Sequence, residues 1–305
     1  MEMLISRDYF GFGDNIYKRP FIIQSAKFYD RVYIFTAFPE LFLTGTKNDE
    51  KYRFIKPDTQ LKTQVQNMNR PEIAHLWHNE RPVGEELSMN YHRNFVGDRR
   101  RNVIQSFETR IPVFYGAWDF KMPANQECLD KADKILENVK TDKKICIVRL
   151  PTVRTEWAVP TRNPKLEYIE ALMKKYKDEY FYISVADCGD GEQFSEPVDL
   201  RLIDLALHRG TDVWDVAGLI ARSDMVISIP CFFIPLGIAL DKPTFIVFGG
   251  HVAPELLVDE RMGLEKYGFV APEPFCNCVQ RDHSCNKEIP YERLIESFER
   301  FKSKC

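Results

Sequence analysis

Residues 221–249, ARSDMVISIPCFFIPLGIALDKPTFIVFG, decide the fold. MVISI (225–229) and TFIVF (244–248) are short, apolar and rich in β-branched and aromatic side chains, which predicts two buried strands. Between them residues 233–240 are apolar throughout and read as a short buried helix. Lys242-Pro243 and Gly249-Gly250 punctuate the second strand on either side. Strand, helix and strand in this order form a parallel crossover, because antiparallel neighbours would need only a short turn.

Working outward, the alternation continues. KICIVRL (144–150) reads as a buried strand, and 165–176 (KLEYIEALMKKY) sets Leu166, Ile169, Leu172 and Met173 at helical spacing. FYISVA (181–186) is the next strand. Asp212 caps a helix that runs to about Arg222, with Asp215 at the capping-box position. Such a series predicts an α/β, Rossmann-like sheet with ligands at the carboxyl ends of its strands. PYERLIESFERFK (290–302) is an amphipathic helix with Leu294, Ile295 and Phe298 on one face. The first half opens on a strand, MLIS, then a loop Gly11-Phe12-Gly13-Asp14, a helical segment to Ala26 and a strand RVYIF at 31–35. Residues 113–115 and 131–139 read as a strand and a helix, whereas the polar stretch 45–110 takes no assignment. The expected organisation is a first domain at 1–143, a second at 144–288, and a last helix within 289–305 packing back on the first.

Composition agrees with a globular enzyme-sized chain. With 305 residues, 44% hydrophobic and 29% charged, it is neither disordered, collagen-like nor a coiled coil. No apolar run approaches the ~20 residues of a membrane span, and the amino terminus lacks a basic start followed by an apolar run, so a soluble, cytoplasmic protein is expected. Eight scattered cysteines fit reduced thiols, apart from one late cluster. Residues 1–144 carry 23 Lys and Arg against 20 Asp and Glu, and 145–305 carry 19 against 25, so a basic half precedes an acidic one. A Gly-x-x-x-x-Gly-Lys-Ser/Thr loop is absent, which argues against an ATPase.

In this order the pieces resemble glycosyltransferase family 9, which includes the bacterial heptosyltransferases. Gly13-Asp14 followed by Pro20 matches that family's opening Gly-Asp, apolar stretch and Pro, and 221–249 matches its donor-site run. Cys276-x-Cys278 with Cys285 before the final helix looks like its late cysteines, and Trp157 after Arg154 like its basic residue and Trp. The resemblance implies a GT-B architecture, two Rossmann-like domains facing a cleft, and inverting transfer from a nucleotide-diphosphate sugar without a metal or cofactor. One departure stands out: where the family has an acidic residue, a glycine and a histidine, this chain reads Pro230-Cys231-Phe232-Phe233-Ile234-Pro235.

Such transfer needs a base for the acceptor hydroxyl and cationic or N–H groups for the departing diphosphate. The resemblance makes Asp14 the base, and a carboxylate after Gly-x-Gly at a strand end can project into a cleft, although it can equally cap the next helix. Arg154 and Arg162, in the loop PTVRTEWAVPTRNP, are candidate diphosphate partners or solvated loop residues. Trp157 and Trp214 could stack on the donor or belong to the core, and Asp212 and Asp215 read as capping groups. Gly249, Gly250 and His251 follow a strand, where a glycine pair lets backbone N–H groups face phosphate; Glu255 is a further donor candidate. Lys18, Arg93, Arg99 and Arg100 are candidate acceptor contacts, the last three within the densest basic cluster. A polyanion could dock there, either a glycan or lipopolysaccharide core or hydroxymethylated bases in phage DNA. The loop at 151–164 also looks like those of phage-encoded relatives.

Cys276, Cys278, His283 and Cys285 offer good zinc ligands, but their spacing departs from the usual Cys-x2–4-Cys pairs, so a structural, redox-sensitive thiol cluster is preferred. His75 and His78 with Glu72 lack a His-Glu-x-x-His pattern. Two rivals to a transferase remain: a non-catalytic nucleotide-sugar or nucleic-acid binding protein, favoured by the missing polar groups at 230–235, and a sugar-nucleotide epimerase or hydrolase.

Overall fold

The computed structural model describes residues 3–7, 11–80, 82, 85–88, 102–108, 119–156, 158–189, 191–278 and 283–305. The chain forms two compact units, Met1–Phe120 and Lys121–Cys305. Among the described residues the first contains four parallel strands, β1 (Met3–Arg7), β2 (Arg31–Phe35), β3 (Tyr52–Ile55) and β4 (Glu85–Ser88), in the order β3-β2-β1-β4. The helix Phe12–Ser25 follows β1 and buries Phe12, Ile16, Tyr17, Phe21 and Ile22. The expected strand at 113–115 lies outside the described residues.

The second unit holds six parallel strands: β5 (Lys144–Arg149), β7 (Tyr180–Val185), β9 (Leu205–Leu207), β10 (Met225–Ser228), β11 (Thr244–Val247) and β12 (Tyr267–Val270). A small antiparallel pair, β6 (Thr152–Arg154) with β8 (Glu192–Phe194), stands beyond the ends of β5 and β7. The sheet order β12-β11-β10-β5-β7-β9 is the doubly wound Rossmann order read from one edge. Its order reverses between β5 and β10, so the crevice beyond their carboxyl ends is the topological switch point. The unit-one sheet, 3-2-1-4, has its own reversal between β1 and β4.

Two expectations about organisation change. The boundary falls at 120/121 and not at 143/144, because the helix Gln126–Leu136 packs on the helix Val213–Arg222. There Gly218 permits backbone contact: a Cβ would sit 1.9 Å from the Cys128 carbonyl oxygen. Arg222 grips Asp133 at 2.6 Å across the same pair of helices. The final helix, Tyr291–Lys302, expected to pack on the first domain, packs in the second unit's core. Phe298 meets the Phe245 ring edge-on at 5.1 Å, and Leu294 and Phe301 are buried beside it. Each of these side chains contributes about 1.5–3 kcal/mol through burial, enough to fix the helix on this sheet.

Candidate functional site

Beside the switch point, the carboxyl end of β5 is organised by a buried charge. Arg149 ion-pairs with Glu192, and its guanidinium also donates to Thr152 Oγ1 at 3.0 Å and to the Val185 carbonyl at 3.2 Å. Glu192 is almost fully buried and lies 3.5 Å from Arg154, which in turn holds Glu156 at 2.8 Å. Two guanidinium groups and two carboxylates thus balance one another. The β6–β8 pair and its loops line a cavity of about 580 Å³ that includes Arg154, Thr155, Cys188, Glu192 and Phe194. Gly191 is required here twice over: its φ is +92°, and a Cβ would lie 2.2 Å from Thr155 Oγ1. On β7, Ser184 Oγ and His208 Nε2 are 3.0 Å apart. Burial, and then the Arg149 cation, hold the His208 pKa below its ordinary 6.5.

At the end of β11 the means are different. A Cβ on Gly249 would lie 2.6 Å from the carbonyl oxygens of Arg162 and Asn163, so two backbones cross there in contact. The Gly250 N–H donates to the Thr161 carbonyl at 2.8 Å, and the Gly250 carbonyl accepts from Cys278 N–H at 3.0 Å. The other face of Gly250 meets the Cys285 side chain. His251 Nδ1 is 3.5 Å from Thr161 Oγ1. Arg162, Gly249, Gly250 and His251 are therefore brought together, as the sequence suggests. The reason for the glycines is nevertheless corrected: Gly250 N–H already serves Thr161, and both glycines are fixed by close protein contacts and not by room for phosphate. Glu255 is exposed on the short helix Pro254–Leu257.

In the first unit Asp14 occupies the first turn of the helix after β1. Its carboxylate folds back over Gly11, whose Cβ, if present, would lie 2.5 Å from Asp14 Oδ2. A negative charge is favourable at this helix end. The turn is braced from beneath: Asn15 Nδ2 donates to the Gly11 carbonyl at 2.7 Å, Thr36 Oγ1 to Asn15 Oδ1 at 3.0 Å, and Phe38 N–H to Thr36 Oγ1 at 2.9 Å. This buried chain joins the start of the helix to the carboxyl end of β2.

Other expected site residues fare differently. Trp214 is 5% exposed and belongs to the core, so it offers no face to a ligand. Asp212 and Asp215 are a capping box: Asp212 accepts from the N–H groups of Trp214 and Asp215 at 2.7 and 2.8 Å, and Asp215 accepts from Asp212 N–H at 2.8 Å. Lys18 is fully buried, where an acceptor contact would have to be exposed. Arg93, Arg99, Arg100 and Trp157 lie outside the described residues. The sequence reading missed Arg149, Glu192 and His208. Arg149 ends a predicted strand at the ligand side of a parallel sheet, which was a usable signal; Glu192 and His208 carried none, since their partners are distant in sequence. The late cysteines converge with a histidine. Ligand atoms of Cys276, Cys278, His283 and Cys285 all lie within 4.8 Å of one another.

No family profile matches the sequence, and no curated protein does. Solved structures do match. The chain is similar over 99% of its length to 76% of the iron-containing dodecameric glycosyltransferase TibC from enterotoxigenic E. coli, at 12% identity and a TM-score of 0.62. All of it matches 98% of a family 9 glycosyl transferase from Veillonella parvula at 10% identity and a TM-score of 0.63. All of it likewise matches 99% of the E. coli heptosyltransferase WaaC with ADP, at 13% identity and a TM-score of 0.53. Among the described residues no helix is long and apolar enough to cross a membrane. Parallel sheets in both units and likeness along the whole chain lead to one conclusion: the chain has the GT-B fold of the heptosyltransferase-like glycosyltransferases of family 9.

Proposed function

We propose that the protein is an inverting glycosyltransferase that moves a sugar from a nucleotide-diphosphate sugar to an acceptor hydroxyl. The observation that carries this reading is the full-length likeness to family 9 structures, one of them holding ADP, together with arginines at the carboxyl end of the second sheet. In this reading the second unit binds the donor. Arg154 and Arg162 neutralise the departing diphosphate, and the Gly249-Gly250 crossing holds the Arg162 loop in place. His251 and Glu255 contact the nucleotide.

Asp14 is the general base. It takes the acceptor proton as the hydroxyl oxygen attacks the anomeric carbon and the diphosphate leaves from the opposite face, inverting that centre. Protein groups stabilise the leaving group, so the transfer step uses no metal. The acceptor is a hydroxyl of a glycan or lipopolysaccharide core, or of a hydroxymethylated base in phage DNA; the basic run with Arg93, Arg99 and Arg100 suits either polyanion. The enzyme works in the cytoplasm of a bacterium or of an infected host.

A thermal-shift series with nucleoside diphosphates and their sugar conjugates tests the donor site first. One diphosphate and its conjugates should raise Tm in proportion to the logarithm of concentration over Kd. With the donor in hand, Asp14→Asn should keep that shift and lose roughly 10²–10⁴-fold in turnover. Full turnover in Asp14→Asn would remove the base assignment, and no shift with any nucleotide would remove the donor reading. The apolar end of β10, where residues 230–235 lack polar side chains other than Cys231, favours one alternative, a non-catalytic nucleotide-sugar binder. It predicts the shift without turnover in the unmodified protein.

A further inference from the structure

Cys276 and Cys278 are separated by one residue, so in an extended chain their side chains would share a face but stand about 6.6 Å apart, too far to bind one ion. The chain is not extended here: Asn277 between them has φ +49°, a left-handed conformation that Asn tolerates better than most residues, and the turn brings both thiols to one centre. Asn277 is held in that conformation by its own side chain, whose Oδ1 accepts from Ala253 N–H at 3.2 Å. The same centre receives His283 and Cys285. His283 Nδ1 is 3.4 Å from Cys276 Sγ and 3.4 Å from Cys285 Sγ, and Cys278 Sγ is 3.0 Å from Cys285 Sγ.

An ion with bonds of about 2.3 Å to sulfur and 2.0 Å to nitrogen in tetrahedral array has ligand–ligand edges of roughly 3.5–3.8 Å. The observed separations, none above 4.8 Å, bracket those edges. A disulfide would engage two of the thiols and leave a third thiol and an imidazole beside it without purpose. Three thiolates and one imidazole around one point satisfy all four ligand positions of a closed site, and their softness suits zinc(II) or ferrous iron over magnesium or calcium.

We propose that Cys276, Cys278, His283 and Cys285 bind one divalent zinc or ferrous ion as a closed, structural site that clips the segment before the last helix to the Gly250 turn. The backbone supports this placement. Cys278 N–H binds the Gly250 carbonyl, Gly250 N–H binds Thr161, and Lys287 Nζ, just beyond the last ligand, donates to the Pro160 carbonyl at 2.8 Å. The metal thus ties three separate stretches, around residues 160, 250 and 280, at the carboxyl edge of the sheet. With four protein ligands it has no open position and takes no part in transfer.

The test is metal analysis of the full-length protein, purified without added chelator from cells grown with zinc or with iron in excess. About one ion per chain is expected after desalting, and which metal is found separates the two sources. Replacement by cobalt(II) should give the intense thiolate charge-transfer and visible bands of a tetrahedral thiolate site. Cys278→Ser and Cys285→Ser should each lose most of the metal, while Cys305→Ser, at an exposed terminal cysteine, keeps it. A chelator that strips the wild-type protein should lower its Tm, a readout that needs no variant to fold. Metal-free protein under both growth conditions, an octahedral cobalt spectrum, or a Cys278–Cys285 disulfide in protein prepared anaerobically would overturn the proposal. None of these measurements uses a nucleotide, so the site stands or falls independently of the transferase reading.

Discussion

The two sides of the switch point in the second sheet are built by opposite means. Beside β5 and β7 the loops are held by a buried charge pair, Arg149 with Glu192, whose surroundings are polar and open to a cavity. Beside β11 they are held by volume: Gly249 and Gly250 let three stretches of backbone touch, and thiols and an imidazole close the gap behind them. A charge pair tolerates small shifts of its loops but fails when one partner is removed. A close-packed crossing tolerates changes of charge but not one added methyl group. One edge of one sheet therefore has two distinct modes of failure, and substitutions can tell them apart.

The largest effect is expected on the charged side. Glu192→Ala leaves the Arg149 guanidinium largely buried and without its carboxylate, a change that typically costs about 3–5 kcal/mol. For a unit of this size that is a fall in Tm of roughly 10 °C. Replacing both partners by apolar residues, Arg149→Met with Glu192→Leu, should recover most of the loss, because the cost lies in the orphaned charge and not in the missing pair. A Tm within about 2 °C of wild type for Glu192→Ala would mean that Arg149 finds water or another partner, and the contrast between the two sides would collapse.

The difference between the sides also explains what could be read from the sequence. The strand series from 144 to 248 was legible because each buried strand is a local apolar run and each helix a local period. The Asp212–Asp215 cap was legible for the same reason, its partners being three residues apart. The glycine pair and the cysteines were visible as motifs, but what they contact was not: Gly249 is shaped by Arg162 and Asn163, and the left-handed Asn277 that overrides the Cys-x-Cys spacing is a property of backbone. Arg149 and Glu192 are 43 residues apart and gave no pattern at all. Strands β3, β4, β9 and β12 escaped because each is only three or four residues long and none is an unbroken run of β-branched or aromatic residues. Trp214 misled as a ligand candidate because an aromatic residue in a cap looks the same in sequence whether it faces a ligand or the core.

On the packed side, Gly250→Ala should cost about 1–3 kcal/mol, since the new Cβ would lie 2.5 Å from Cys285 Cβ and 2.6 Å from its sulfur. The discriminating measurement is metal content and not stability alone. Gly250→Ala pushes Cys285 away from the ligand centre and should lower the metal bound per chain, whereas Glu192→Ala should leave it unchanged. If both variants lose metal equally, the edge unfolds as one cooperative piece and the two sides are not separable.

The smallest effect concerns His208, which belongs to the charged side. Burial and the Arg149 cation disfavour its protonated form, so its pKa in the folded protein lies below the ordinary 6.5. As pH falls through 6.5 the unfolded chain takes up a proton that the folded chain still refuses, and the unfolded state is favoured; stability therefore decreases toward acid until the folded-state pKa is passed. The slope is bounded by about 1.4 kcal/mol per pH unit for one proton, and a half-exposed site delivers less. His208→Gln retains a group able to bond Ser184 and cannot titrate, so its Tm should fall less steeply than that of wild type below pH 6.5. Identical slopes for the two proteins would show that the His208 pKa is not depressed in the folded protein. In Glu192→Ala the effect should grow, because Arg149 would then act on His208 without the carboxylate that balances it; no such change is expected in Gly250→Ala, where the charges are untouched.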